Sequence, residues 1–370
     1  MKQKIEKFLQ SHFPVTADNA GTVITFLEGC RNEWHLLQED WGKRDVFAQV
    51  YLTLSEAYNL AGNHKMACDV LSEGIAEYSK CSEYAYQVKS TMYHNLGIYQ
   101  CNLGDEKAAL SSLRKFVFYL TINNIRYTDV PLFSFRKVSD YTLDELRESK
   151  ICLSNPKKFD DPVDSLVYPW IEKQKQSAVT PSEKLAARLI EEAFSFARIR
   201  CFVRNTPLPT AENIAPQPEP DEKPEISNVL MWPMYANEHK GICLEYHLPT
   251  AMQEESIPEE RTLRLGDVNY VKHISFDETM SVQEAFFTKS IEWKFENETR
   301  LFYYDTKSED DYVYVPIKPE ALKKVYFGLR CSDEDKQKVR DALANNNPTV
   351  EFYQMQIKVN DVYMLEAVKV

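Results

Sequence analysis

The sequence predicts an all-α helical repeat domain over residues 1–125, followed by an α+β domain with a mixed sheet over residues 126–370. Residues 1–120 are helical in pattern throughout and contain an internal repeat. After residue 131, short β-type runs alternate with amphipathic segments, as they do in α+β domains. A chain of 370 residues with 44% hydrophobic positions is long enough to form about two or three domains.

The repeat consists of apolar and glycine positions that recur in the same order. The matched positions are Leu54, Tyr58, Gly62, Ala67 and Leu71 in the first copy and Leu96, Gln100, Gly104, Ala109 and Leu113 in the second. This pattern resembles the tetratricopeptide repeat, with an offset of 42 residues between positions 54 and 96 in place of about 34. Gly74 and Phe116 stand where that repeat usually has alanine.

The resemblance implies that Gly62 and Gly104 form the turns of two helix pairs, and that Ala67 and Ala109 make the close contacts. Residues 1–50 are expected to add another helix pair. Since so few repeats cannot bury their apolar faces alone, we expect the array to pack on the next domain. Its role is either a groove that binds a protein partner or a structural cap.

The α+β domain begins with a strand–helix–strand unit. The run L-F-S-F-R at 132–136 predicts a strand, residues 140–149 a helix, and I-C-L-S at 151–154 a second strand. This unit brings Arg136 and the acidic turn at 160–164 to neighbouring strand ends, where α/β sites are usually built.

The later elements are marked by caps, prolines and alternation. T-P-S-E at 180–183 is a capping box with proline at the first helical position, so a helix is expected to about residue 195. Further strands are expected at 196–203, 242–246, 298–304, 325–328, 350–359 and 363–370, and further helices at 280–293 and 333–344. If the helix at 280–293 extends, Lys289, Trp293 and Glu296 share one face. Residues 205–228 hold six prolines and predict a loop, either a lid or a surface insertion.

Composition excludes several classes of function. The net charge of −12 argues against broad nucleic-acid binding, because an acidic body repels polyanions. Neither G-x-G-x-x-G nor G-x-x-x-x-G-K-[ST] occurs, so the common dinucleotide and P-loop folds are not expected. The eight cysteines are scattered without a C-x-x-C pair, which favours reduced thiols in a cytoplasmic protein. No apolar run is long enough for a membrane span, so no membrane partner is expected.

The candidate site centres on residues 228–247. Trp232 and Tyr235 form an aromatic pair, and the polar turn at 236–241 contains Lys240. A turn rich in Asn, His, Lys and Gly offers donors to an anion. The alternative interpretation is a core tryptophan beside an ordinary turn.

Two further groups of charged residues are candidates. Glu298 and Arg300 share one face of the strand at 298–304. A charge that faces inward is costly unless it is paired. The two residues are therefore either a buried ion pair or a catalytic carboxylate with its anchor. The carboxylates of Asp160, Asp161 and Asp164 either bind a metal, act as a general base or cap the next turn. The structural role is favoured for Asp161, the role of Asp164 is open, and no metal site is assigned.

Motifs at four places resemble a bacterial domain-of-unknown-function family that has F-N-D-P-F-D and W-x-x-Y-A…H-x-G motifs. They are F-R at 135–136, F-D-D-P-V-D at 159–164, W-x-x-Y-A…H-K-G over 232–241 and W-x-x-E-x-E-x-R over 293–300. The resemblance covers roughly residues 130–345. Asp160 replaces the usual Asn and Val163 the usual Phe, which puts any role of that Asn amide in doubt.

The layout is also similar, more distantly, to ADP-ribosyltransferases. That resemblance implies a first-strand arginine that holds the NAD pyrophosphate, an aromatic residue that stacks on nicotinamide, and a glutamate that guides the transfer. The matching candidates in this sequence are Arg136, then Trp232 or Tyr235, and Glu298, the last within an E-x-E pair that starts at Glu296.

Two functions remain open. In the first, the repeat domain binds a protein partner and the α+β domain binds a nucleotide-like ligand, with NAD as the candidate cofactor. Glu298 is then the catalytic residue, and the ligand-binding residues are Arg136, Trp232, Tyr235, Lys240 and Arg300. In the second, the chain is a non-catalytic interaction or scaffold protein whose charged residues form a polar core.

Overall fold

The computed structural model describes residues 2–37, 46–81, 86–121, 131–161, 164, 167–204, 225–248, 261–273, 286–305 and 310–370. The chain divides into two compact units. The first contains Met1–Ile122 and Tyr168–Ser195, and the second contains Asn123–Val167 and Phe196–Val370. The segment 168–195 thus groups with the first unit, whereas the sequence analysis included it in the domain at 126–370. No helix in the described ranges is both long and apolar enough to cross a membrane.

The first unit is built from helices. They are α1 (Lys2–Ser11), α2 (Ala20–Gly29), a 3-10 helix (Arg31–Leu37), α3 (Val46–Leu60), α4 (His64–Cys81), α5 (Tyr86–Asn102), α6 (Glu106–Thr121), α8 (Val167–Ser177, from its second residue) and α9 (Pro181–Phe194). Three-residue turns join α3 to α4 and α5 to α6. Gly62 and Gly104 sit in these turns at φ +75°, a conformation that favours glycine. The turns expected at these glycines are confirmed.

Small residues allow close helix packing in both hairpins. Ala67 and Ala109 are fully buried. A Cβ on Gly74 would lie 2.6 Å from the Tyr51 ring, so glycine is needed where α4 crosses α3. The capping box at the start of α9 is present, and α9 packs against α5 and α6 within this unit.

The second unit is a mixed sheet with helices on both faces. Its strands are β1 (Leu132–Arg136), β2 (Lys150–Ser154), β3 (Ala197–Val203), β4 (Ile242–Tyr246), β5 (Arg261–Asp267), β6 (Asn269–Val271), β7 (Thr288–Ser290), β8 (Glu298–Asp305), β9 (Tyr312–Pro316), β10 (Leu322–Phe327), β11 (Glu351–Lys358) and β12 (Asp361–Lys369). Its helices are α7 (Asp140–Arg147), α10 (Met231–Tyr235) and α11 (Asp333–Leu343). The predicted N-cap at Ser332 is confirmed, since its side chain accepts from Asp335 N–H.

Ten of the described strands form one sheet in the order β12-β11-β10-β4-β1-β3-β2-β9, with β8 on β3 and β5 on β8. The sheet is mixed because β10 and β11 are parallel whereas the other pairs are antiparallel. β3 shares a single register pair with β1 and another with β2. The sheet therefore branches at β3, and β1 and β2 diverge from it.

The sheet is buried on both faces. One core contains Leu132, Leu244 and Phe327 with side chains of α7 and α11. The other contains Phe133 and Phe135 with side chains of α10. A strand buried on both faces is apolar along most of its length, as β4 (I-C-L-E-Y) is. The exception is Glu245, which accepts from Lys324 at 3.0 Å and from the Tyr326 hydroxyl at 2.5 Å.

The helix predicted over 280–293 is wrong where the structure describes it. Residues 288–290 form β7, which pairs in parallel with β6, and a 3-10 helix (Ile291–Glu296) follows. The ladder with β6 provides these residues with strand hydrogen bonds, so tertiary pairing overrides the helical spacing. Residues 280–285 and most of the loop predicted at 205–228 lie outside the described residues.

Candidate functional site

The turn after α10 is a tightly packed corner. Asn237, Glu238 and His239 all have positive φ. A Cβ on Gly241 would lie 2.2 Å from the carbonyl oxygen of Arg136, so only glycine fits there. Lys240 is exposed and bonds to Glu238 at 3.0 Å. The corner therefore orients α10, and Lys240 lies on its outer surface.

Trp232 supports this corner from the core. It is fully buried, its indole N–H donates to the carbonyl of Ile226 at 2.8 Å, and its ring meets Phe135 edge-on at 5.1 Å. His239 stacks on it with an interplanar angle of 7°. Trp232 thus has the core role that the sequence analysis gave as the alternative, and it fixes the position of Tyr235 at the other end of the helix.

A cavity of about 720 Å³ lies beside α10. We call it the carboxylate cavity. Its aromatic and apolar lining includes Phe133, Phe135, Phe159, Met231, Met234, Tyr235 and Trp293. Its charged lining comprises Lys158, Asp160, Asp161, Asp164, Lys289, Glu296 and Glu298. Carboxylates outnumber lysines in the lining, so the cavity has an acidic surface flanked by aromatic side chains.

Arg300 anchors the floor of this cavity. Its guanidinium is 0% exposed and donates to Glu298 at 2.7 and 3.1 Å. It also donates to Asp164 at 2.5 Å and to the carbonyl of Phe286 at 2.8 Å. Arg300 is absent from the described cavity lining, so it holds the carboxylates of Glu298 and Asp164 in place from the side away from the cavity.

Lys289 lies among three carboxylates. Its Nζ is 2.6 Å from Glu296, 3.3 Å from Asp164 and 3.4 Å from Glu298, and it sits 4.9 Å from the Trp293 ring centre. The Tyr235 hydroxyl donates to the other oxygen of Glu296. No described group of His, Cys, Asp or Glu is arranged to hold a metal ion, and an ammonium fills the space between these acids.

The two glutamates of the E-x-E pair have opposite pKa shifts. Burial alone would raise the pKa of Glu298, but Arg300 and Lys289 outweigh it and lower that pKa to about 2. Burial raises the pKa of Glu296, and Lys289 and Tyr235 offset this only in part. Glu298 is therefore firmly ionised, whereas Glu296 takes up a proton more readily than an ordinary glutamate.

A second cavity of about 340 Å³ adjoins the first. Both are lined by Ser134, Phe135, Phe159, Cys201 and Tyr235. Arg136 and Arg200 line only the second, which we call the arginine cavity. The structure thus brings Tyr235 and Glu298 to one cavity and Arg136 to its neighbour.

Sequence reasoning missed Arg200 and the buried Glu145 that pairs with it. In I-R-C-F, Arg200 has the spacing of a solvent-facing strand residue, and only the branching of the sheet turns it towards a cavity. Asp164 and Lys289 also line the cavity. The sequence leaves the role of Asp164 open and predicts Lys289 on a helix face.

Comparisons of the chain with protein-family models, with curated proteins and with solved structures find no match.

Proposed function

We propose that the second unit binds a nucleotide-like ligand in the carboxylate cavity and transfers ADP-ribose from NAD to an acceptor. The observation that carries the proposal is the pair Glu296 and Glu298, which line one cavity around the same lysine and have pKa values shifted in opposite directions. Acids whose pKa values are pushed apart commonly divide proton transfer from charge stabilisation.

The size and lining of the cavity support this ligand class. A volume of about 720 Å³ falls within the roughly 300–1,000 Å³ typical of ligand sites. Tyr235 and Trp293 offer aromatic faces to a ring, and the carboxylates accept hydrogen bonds from ribose hydroxyls. The nicotinamide ring of NAD is a cation, which suits an acidic site with an aromatic rim.

NAD supplies a C1′–N bond whose cleavage sends the electron pair to the nicotinamide nitrogen and leaves positive charge on the ribose carbon. Glu298 carries the fixed negative charge that stabilises this carbon. Glu296 accepts the proton that the acceptor's nucleophile loses as it bonds to C1′. Arg300 positions the Glu298 carboxylate and does not touch the ligand.

The test combines melting temperature with nicotinamide release from NAD. NAD is expected to raise the melting temperature, because a ligand that binds only the folded state stabilises it. Glu298→Gln should lower the release rate about 100-fold or more, since it removes one charge that stabilises the transition state. Glu292→Gln is the matched control, because Glu292 is exposed in the same 3-10 segment and outside the described lining. Absence of both release and stabilisation would reject the proposal.

A non-catalytic interaction protein is the second candidate. It is favoured by one observation: Arg300 already satisfies Glu298, Asp164 and a backbone carbonyl, as the centre of a polar core does. In that case NAD, ADP-ribose, ATP and divalent metal ions all leave the melting temperature unchanged.

We also propose that the helical hairpins are tetratricopeptide-like repeats that bind a protein partner. Support comes from the glycine turns at Gly62 and Gly104 and from the buried Ala67 and Ala109. A partner bound there should protect amides of α3–α6 from hydrogen exchange in the full chain. Protection confined to other elements would count against this role.

A further inference from the structure

The arginine cavity lies where β1 and β2 diverge from β3. Its lining includes Arg136 of β1, Cys152 of β2 and Arg200 of β3. β3 pairs with β1 and with β2 at a single described position each, so the cavity lies where the strand pairing is incomplete. It shares five lining residues with the carboxylate cavity.

The charge of this cavity is opposite to that of its neighbour. Arg136 and Arg200 are the charged residues of its described lining. Glu145 lies behind them, 2.8 Å from Arg136 and 3.9 Å from Arg200, and is 4% exposed. Two guanidinium groups against one carboxylate leave a positive charge at the lining.

Arg200 has unused hydrogen-bonding capacity at this position. Its side chain is 11% exposed. Its Nη2 donates to the hydroxyl of Ser134 at 2.8 Å, whereas its Nε is buried and has no partner within the described residues. The guanidinium carries further N–H groups on Nη1 and Nη2, and an anion in the cavity that accepts from them forms charge-assisted hydrogen bonds.

We propose that Arg200, with Arg136 and Ser134, binds a phosphate group of the ligand. This rests on the proposed function and deepens it, because the two cavities then fix the orientation of the ligand. The phosphates enter the arginine cavity, since the carboxylates next door repel them. The sugar and ring lie against Glu298 and the aromatic rim.

The test is calorimetric titration of the full chain with inorganic phosphate, inorganic pyrophosphate and ADP. Arg200→Gln should weaken pyrophosphate binding about tenfold or more, the loss expected for a charge-assisted hydrogen bond. Arg147→Gln is the control, because Arg147 is half exposed on α7 and outside the described lining. Ser134→Ala should weaken binding less and provides a second variant if Arg200→Gln does not fold. Tighter binding of pyrophosphate than of phosphate assigns the site to a diphosphate, and the reverse assigns it to a phosphate monoester.

The proposal is overturned if the wild-type chain binds none of these anions. Equal affinities of Arg200→Gln and Arg147→Gln, with Ser134→Ala unchanged, overturn it as well. The cation 1-methylnicotinamide, which has no phosphate, should bind the wild type and Arg200→Gln alike. Arg200-dependent pyrophosphate binding without nicotinamide release from NAD would support this site and reject the transferase. If Arg200→Gln releases nicotinamide at the wild-type rate at low NAD concentration, the transferase is supported and the phosphate site at Arg200 is rejected.

Discussion

Removal of Arg300 should destabilise the second unit more than any exposed charge change. Arg300→Met removes the donors to Glu298 and Asp164, and these two buried carboxylates then share Lys289 with Glu296. Breaking a buried ion pair by removal of one partner costs about 3–5 kcal/mol. Since whole domains are stable by only about 5–15 kcal/mol, this loss is a large fraction of the total.

The double variant Glu298→Gln with Arg300→Met should recover about half of that loss. It removes both charges of the Arg300–Glu298 pair, and Asp164 keeps Lys289 at 3.3 Å. The measurement is urea unfolding of the full chain, read from tryptophan fluorescence. Arg147→Met is the control and should change stability by about 0.5 kcal/mol or less, because Arg147 and its partner Asp144 are both exposed.

Two results would refute this reasoning. One is an Arg300→Met variant within about 1 kcal/mol of the wild type, which would mean that solvent or rearrangement screens the carboxylates. The other is a double variant no more stable than the single one. The packing of the Arg300 side chain would then matter more than its charge.

Three further predictions concern stability. Burial alone would raise the pKa values of Glu245 and Glu298, but their hydrogen-bonding and charged neighbours lower both to about 2. The stability that these two carboxylates contribute is therefore fully present above about pH 4.3. It is lost as the pH falls towards 2. Glu245→Gln should therefore flatten the acid side of a plot of unfolding free energy against pH; an unchanged curve would contradict this. A fragment of residues 125–370 should be poorly soluble, because α9 is cut from α5 and α6 and its apolar face is uncovered; a monomeric fragment on size exclusion would count against it. Gly241→Ala should lower the unfolding free energy by about 3 kcal/mol because its Cβ meets a carbonyl oxygen at 2.2 Å, whereas Gly29→Ala, with nothing within 4 Å, serves as the control.

Local signals in the sequence predicted local structure well. Capping residues at Thr180 and Ser332 located helix starts, and Gly62 located a turn, because each depends on a few neighbouring atoms. The apolar run of β4 likewise predicted a buried strand. Helix and strand differ little in short amphipathic runs, so the sequence predicts helix where the structure has β7, which pairs with β6.

The candidate site was predictable only in part. The inward charge of Glu298 and its pairing with Arg300 follow from strand alternation. The bond from Arg300 to Asp164 spans 136 positions and leaves no local pattern. Arg200 is similar, since its position in a cavity results from the divergence of two other strands. Residue types at the site could be predicted, but their pairing across the fold could not.

In each cavity, charged side chains mainly of one sign line the space and a buried side chain of the opposite sign pairs with them from outside the lining. The signs are reversed between the two cavities. In the carboxylate cavity, Arg300 is sealed behind the lining and the glutamates face the opening. In the arginine cavity, Glu145 is sealed behind and the arginines face the opening. Arg300 and Glu145 each reduce the cost of burying the opposite charges that line the cavity, and neither is itself in contact with the cavity. Stability alone requires no such arrangement, because apolar residues of similar volume often serve a buried core as well or better. Under the proposed function, a ligand with a cationic ring joined to phosphate would meet negative charge at one end and positive charge at the other. It follows that Arg300 positions a glutamate, and that the arginines suited to binding an anion are Arg136 and Arg200.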